Sequence, residues 1–407
     1  MNSDATGAQL LMAALLTDHG SAGPYESYRR LRDSHPVLQT NSGVLVLSRH
    51  RDCDSALRDR NLGKVDESLG FRLTEVPDDL KHRAMHRFRR TMLFRNPPDH
   101  TRLRRLITDV FTTRHVEHLR AGIVDTIEQL LSDIEGKHDV DVMTDLALPL
   151  PVKVIGDLLG LPPEGRELAA SVVRDLVAPL EPMADAAALQ RAADAEDQLA
   201  EYLGKLLVNK RVHPADDLLS RLVAAHDDDG LDDDECVGTA ILLFAAGFET
   251  TTNLIGNGLA ALLANPTQAE LLRQQPKLAA GAVEELLRYD APVQTNGRTV
   301  LEPTRIADVY LEPGQVVLTL LGAANRDPDQ FTHPDSLDIT RTGSRPLSFG
   351  AGIHFCLGAA LARMEGAELF PRLLIRFPEL AIAAEPSWRP GLSFRGLTSL
   401  PVNTQRG

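Results

Sequence analysis

Residues 349 to 358 read F-G-A-G-I-H-F-C-L-G, and they hold Cys356, one of three cysteines in the 407-residue chain. Gly350, Gly352 and Gly358 fall inside this stretch. The backbone here can turn tightly and lie close against another body, which side chains at those positions would prevent. The pattern points to a large, flat guest.

A cysteine so placed offers its sulfur as a metal ligand. On haem iron, a thiolate pushes electron density toward bound dioxygen and favours cleavage of the O–O bond. A buried structural cysteine beside a glycine-rich turn is the plainer reading of a lone cysteine, but it leaves the ten-residue pattern unexplained. Zinc held by His354 and Cys356 would need a second close pair of Cys or His, and Cys53 and Cys236 stand alone in the sequence.

The spacing F-G-x-G-x-H-x-C-x-G resembles the haem-binding loop of the cytochrome P-450 family. That resemblance makes Cys356 the axial thiolate of haem b (iron protoporphyrin IX). It places Phe349, Gly350 and Gly358 in the loop beneath the cofactor, and His354 on a haem propionate.

A second chemical stretch lies upstream. Asp232 to Glu235 put four carboxylates at the start of an apolar run, where they complement the positive end of a helix. The run continues to Asn265-Pro266, and a helix this long and apolar lies through a core. Ala245 to Thr252, A-A-G-F-E-T-T-T, interrupts it. Gly247 weakens the helix, and a threonine hydroxyl can bond back to the carbonyl one turn earlier, so a groove can open. The segment resembles the I-helix motif of the same family. On that resemblance Thr250 is the alcohol at the oxygen site, Glu249 is the acid relaying protons from solvent, and Ala246 and Gly247 lie beside the haem. Both protons must reach the outer oxygen for the O–O bond to break heterolytically. The pair also speaks against a peroxide-using variant, a branch that replaces it.

After Pro97-Pro98, D-H-T-R-L-R-R-L-I-T opens a helix with Asp99 as its cap. His100 and Arg104 are four apart and share a face; the resemblance has them grip haem propionates together with Arg298 and His354. Glu285 and Arg288, three apart, can pair on one helix face. They match the family's E-x-x-R motif, with Arg341 as third member and a role in folding and haem retention. Val293, Gln294, Thr295 and residues 393 to 399 fall where the family faces its substrate.

Around these sites, Gly43 to Leu47 reads as a strand and residues 61 to 96 lack a firm period, as a substrate-facing loop would. Helical periodicity dominates 116 to 135, 146 to 159 and 167 to 211, broken by Pro162-Pro163 and Pro182. Residues 325 to 328, N-R-D-P, read as a turn and helix start, and 388 to 402 as a hairpin. With no repeat and no low-complexity linker, the expectation is one large domain over 1 to 407, mainly α with a minor β-sheet. The resemblance makes it the cytochrome P-450 fold.

A net charge of −14 disfavours nucleic acid and anionic membranes as partners, although cations crowd residues 81 to 105. Such a run is most often a solvated face; the basic character of residues 61 to 96 would also suit a substrate with an acidic or polyhydroxylated end. Three cysteines without close pairing fit a reducing cytoplasm. The apolar run Leu10 to Leu16 is too short to span a membrane. The whole is similar to a soluble bacterial, actinomycete-type haem-thiolate monooxygenase of secondary metabolism. Such an enzyme inserts one oxygen atom from dioxygen into a small organic substrate, for example a polyketide or macrolide. No flavin or iron–sulfur segment is visible, so electrons are expected from a ferredoxin and its reductase, with docking at Arg102, Arg105 and Arg363 and a monomeric enzyme. Desaturation, epoxidation or oxidative coupling at the same centre stay open, as does a non-oxygenating haem sensor, which the acid and alcohol pair disfavours.

Overall fold

The computed structural model describes Leu15 and residues 23–64, 75–137, 139–229 and 231–404. Most of the run Leu10 to Leu16, and residues 65–74 of the expected substrate-facing loop, lie outside the described residues. The chain forms two compact units. Lys64–Ile123 with Pro149–Thr250 makes one, and Met1–Gly63, Val124–Leu148 and Thr251–Gly407 make the other.

Among the described residues, the first unit is built of helices without strands. Its helix α1, Asp99–Thr108, follows Pro98, and no side chain caps it. Asp99 is instead the first helical residue, where its charge meets the helix dipole directly. The stretch over 167 to 211, expected to break at Pro182, forms two helices, Pro163–Val177 and α2, Ala186–Val212, with Pro179 and Pro182 between them. Asp185 caps α2 by accepting the Ala188 N–H at 2.8 Å. Ala184, Leu189, Ala192 and Ala193 then pack with Val76 and Ala84. Helix α3, Asp233–Ala264, begins here with Asp233, Asp234 and Glu235 in its first turn.

The second unit carries the sheets. Its largest has strands β1 Val37–Gln39, β2 Leu45–Leu47, β3 Leu62–Gly63, β4 Thr295–Val300 and β5 Val316–Leu320 in the order β1-β2-β5-β4-β3. Pairing is antiparallel except between β2 and β5. Leu45, Leu57, Val300, Val317, Leu347 and Ala351 share one apolar cluster, which fixes the chain entering the cysteine loop to the sheet. Helices α4, Ala279–Tyr289, and α5, Ala359–Arg376, pack together behind that loop.

The hairpin expected over 388 to 402 ends early. Ser387–Trp388 pairs with Leu397–Ser399, and Pro401–Asn403 then joins Val140–Asp141 and Ala381–Ile382 in a separate sheet. Among the described residues no helix is long and apolar enough to cross a membrane.

Candidate active site

Gly350 and Gly352 have φ of 68° and 70°, a left-handed conformation that side chains disfavour. A Cβ at Gly352 would also stand 2.4 Å from the Leu57 carbonyl oxygen, so the loop is seated hard against the helix His50–Arg58. The Cys356 N–H donates to Phe349 O at 2.9 Å and the Gly350 N–H to Leu347 O at 2.8 Å, closing the turn. Cys356 is thereby exposed.

The other two cysteines are treated differently. Cys53 and Cys236 are buried, and their thiols donate to the carbonyls of Leu47 at 3.3 Å and Leu222 at 3.7 Å. Burial pushes the Cys53 thiol far up and the Cys236 thiol up to about 12, so both stay protonated and inert at neutral pH. One sulfur of three is offered outward. Among the described residues no group of three or more His, Cys, Asp and Glu could hold a metal ion.

Behind the loop, Glu285 on α4 collects two arginines. Arg288 meets it with Nε at 2.7 Å and Nη2 at 2.8 Å, and Arg341 adds Nε at 3.0 Å. Arg288 also donates to the carbonyls of Asn325, Pro334 and Ser336 at 3.0, 2.6 and 2.9 Å. A wholly buried guanidinium is thus saturated by one carboxylate and three carbonyls.

Asn325 carries this web into the cysteine loop. Its Oδ1 accepts the Leu347 N–H at 2.7 Å, its Nδ2 donates to Ser348 Oγ at 2.8 Å, and that hydroxyl donates to Leu287 O at 2.7 Å. Reading N-R-D-P as a plain turn missed this role. A buried asparagine at a turn was the one available signal, and its partners are too distant in sequence to infer.

On α3, Ala246 is exposed and Gly247 and Thr250 half-buried, between buried Leu242 to Ala245 on one side and buried Phe248 and Glu249 on the other. The helix runs unbroken here, so the accessible strip comes from small side chains rather than a backbone break. The Thr250 hydroxyl donates back to Ala246 O at 2.7 Å. In the same unit, His100 is buried and Arg104 half-buried on α1.

Arg298 tests whether the residues fit a haem. It sits on β4 with 2% of its surface exposed, and its guanidinium donates to Asn296 Oδ1 and to Gly297 O at 3.1 Å. No carboxylate among the described residues pairs with it, and burial lowers it to about 10, still charged at neutral pH. A buried cation of this kind needs an anion. A propionate would answer that charge and an exposed cysteine would offer a sulfur to iron; these residues of the sheet-bearing unit fit haem b. The predicted set divides between the units, with Arg298, Phe349, Gly350, His354, Cys356 and Gly358 in one, and His100, Arg104, Ala246, Gly247, Glu249 and Thr250 in the other.

Several cations of the arginine-rich segment are paired with acids. Arg87 lies 3.7 Å from Glu196, 3.5 Å from Asp197 and 3.3 Å from Asp234. Arg90 reaches Asp232 and, at 3.6 Å, Asp234, while Arg102 grips Glu235 at 2.6 and 3.3 Å. The charge of these arginines is answered by the first turn of α3 and the acids of α2. Arg102 and Arg363, two expected docking cations, are held by Glu235 and Glu284; Arg105 is exposed.

Comparison with known proteins gives one family. The cytochrome P-450 family model matches residues 174–385. Cytochrome P-450 107B1 of Saccharopolyspora erythraea is 40% identical over 399 residues, covering 93% of this chain and 94% of the relative. Cytochrome P-450 monooxygenase PikC of Streptomyces venezuelae is 37% identical over 95% of this chain and 92% of its own length. The crystal structure of P-450 BioI in complex with hexadec-9Z-enoic acid ligated acyl carrier protein superposes with a TM-score of 0.88 at 36% identity, over 94% of this chain and 98% of that one.

Proposed function

The chain belongs to the cytochrome P-450 family and is a haem-thiolate monooxygenase, and we propose that Cys356 is its axial ligand and Glu249 and Thr250 its proton-handling pair. When bound, the haem supplies the iron at which dioxygen is activated and its O–O bond broken. Cys356 gives its sulfur from a loop fixed by the Glu285, Arg288 and Asn325 web. Arg298, with His100, Arg104 and His354, holds the propionates by charge and hydrogen bonding. Phe349, Gly350 and Gly358 would let the loop lie close to a bound haem, and Ala246 and Gly247 would offer it small side chains.

Glu249 passes protons inward from solvent. With its own proton given to Ala246 O, Thr250 Oγ1 is left as an acceptor, able to hold a water or another O–H donor beside the oxygen site. One observation carries the reading: of three cysteines, the one in the glycine-rich loop is exposed while the other two are buried and protonated.

A polyketide or macrolide of secondary metabolism is the substrate class, as the similarity to the polyketide biosynthesis cytochrome P-450 PksS of Bacillus subtilis suggests. The acyl carrier protein on P-450 BioI favours testing carrier-bound acyl chains as well. Two electrons come from a ferredoxin that meets Arg105 and competes with Glu235 and Glu284 for Arg102 and Arg363. The enzyme works as a monomer in the cytoplasm.

The deciding experiment is the optical difference spectrum of the dithionite-reduced protein with and without carbon monoxide. A Soret band strongly shifted to the red, lost in Cys356→Ala, is expected. A carbon monoxide complex resembling a histidine-ligated globin would overturn the assignment.

A further inference from the structure

Two short segments run side by side in the sheet-bearing unit, 292–295 and 393–396. Little backbone joins them: Gln294 N–H donates to Ser393 O at 2.8 Å, Arg395 N–H to Pro292 O at 2.9 Å, and Val293 bridges Phe394. A two-stranded contact this brief is marginal in isolation.

One buried cluster ties the pair down. Asp290, just beyond α4, accepts the Tyr25 hydroxyl at 2.6 Å and Arg395 Nε at 2.8 Å on the same Oδ1. The Arg395 guanidinium lies 3.7 Å from the centroid of the Trp388 ring and 5.8 Å from that of Tyr25. A Cβ at Gly23 would come within 2.8 Å of its Cζ, so the space around it is full. Asn257 of α3 donates to Arg395 O at 3.0 Å and to Asp290 O at 3.4 Å. Gly396 fits closely against Asn253, whose Oδ1 would stand 2.0 Å from an added Cβ. Burial and the neighbouring Asp290 push the Tyr25 hydroxyl well up, so it remains a donor across the working pH range.

We propose that Arg395 is a positioning residue which, through its buried pairing with Asp290 and Tyr25, sets the spacing of 292–295 against 393–396 and thereby the shape selectivity of the substrate site. The inference rests on the reading that these segments face the substrate. Arg326, which follows Asn325 of the Glu285 web, lies 3.6 Å from the Tyr25 ring centroid, but the Asp290 and Arg395 pairing itself holds 292–295 and 393–396, so loosening it reshapes a wall and leaves haem ligation in place. Arginine is suited to this task because its planar group stacks on Trp388 while its edge bonds the carboxylate.

The test uses the haem-loaded full chain as wild type, Asp290→Asn and Tyr25→Phe. Each is titrated optically with imidazole and with 4-phenylimidazole, and hydrogen exchange is followed at 292–295 and 393–396. In Asp290→Asn the ratio of the two azole affinities is expected to change on the order of tenfold, as misplacement of a site wall can cause. Exchange should quicken in both segments, Tyr25→Phe should show the same trend more weakly, and the carbon monoxide spectrum should not change. Equal changes for both azoles, or unaltered exchange, would overturn the proposal. So would loss of haem from Asp290→Asn with Tyr25→Phe behaving as wild type, since the cluster would then hold the fold rather than the wall. A wild-type protein without the red-shifted carbon monoxide band would instead overturn the haem-thiolate reading, and the exchange data would still decide the role of Arg395.

Discussion

Arg288 and Arg83 belong to two regions that handle charge in opposite ways. Behind the cysteine loop, the Arg288 and Glu285 side chains are 0% and 1% exposed, and hydrogen bonds saturate both. Along the arginine-rich segment, Arg83 is 53% exposed and stands 3.9 Å from Asp194 and Asp197. Geometry in the first region is fixed because any displacement strands a buried charge. In the second, water can replace either partner at little cost. The difference teaches which arginines specify structure: burial and the number of satisfied donors decide it, and local density of positive charge does not.

Glu285→Ala should break the first region outright. Removing one partner of a buried ion pair typically costs about 3–5 kcal/mol, and here two arginines and the Asp338 N–H lose their acceptor. Urea denaturation and haem content measure it; a loss below about 1 kcal/mol would show the web to be no stronger than a surface pair. A smaller effect is expected from Gly352→Ala. It combines a strained φ of 70° with a Cβ against Leu57 O, at a cost of roughly 1–3 kcal/mol. Its carbon monoxide complex should lose part of the thiolate band as the loop shifts.

These two regions were unequally legible in the sequence. The cysteine loop, the Glu285 and Arg288 pair and the acid and alcohol on α3 are each local, with spacings of ten residues or fewer, so turn and helix geometry alone set their relations. Arg341 could be joined to the pair only through a family pattern. Asn325, Asp290 and Arg395 were invisible because what defines them is partners tens to hundreds of positions away, as with the 265 residues between Tyr25 and Asp290. The pairing within the arginine-rich segment was hidden for the same reason. Its charges were plain, while the acids of α2 and α3 that answer them could be placed only by the fold.

Glu196 sharpens the comparison, since it is a buried carboxylate in the arginine-rich region. It accepts the Arg87 N–H at 2.6 Å, yet burial outweighs that bond and raises it from 4.5 to about 7. Glu365 on α5 is raised by burial to about 8. A carboxyl raised on folding favours the folded state below its unfolded pKa, and that advantage is lost as pH climbs through the folded value. Stability should therefore fall between about pH 4.5 and 8 in the wild type. Glu196→Gln should flatten the part of the slope below about pH 7, and at higher pH stabilise the protein by up to about 3 kcal/mol. Thermal melts across that range test it, and an unchanged slope would mean that water reaches Glu196.

Arg83→Ala is the smallest effect and the sharpest contrast with Glu285→Ala. Exposed pairs at this separation contribute about 0–1 kcal/mol, and the two acids facing Arg83 are themselves 63% and 66% exposed, so neither is stranded by its removal. Screening should abolish even this in about 1 M salt, where the Debye length is near 3 Å. Denaturation of wild type and Arg83→Ala at low and high salt should thus give two curves that differ slightly and then coincide, whereas the Glu285→Ala deficit should persist in salt because its charges lie beyond the reach of ions. A salt-independent loss at Arg83 above about 2 kcal/mol, outside the surface-pair range, would mean that the arginine-rich segment is held by the same buried electrostatics as the web behind Cys356.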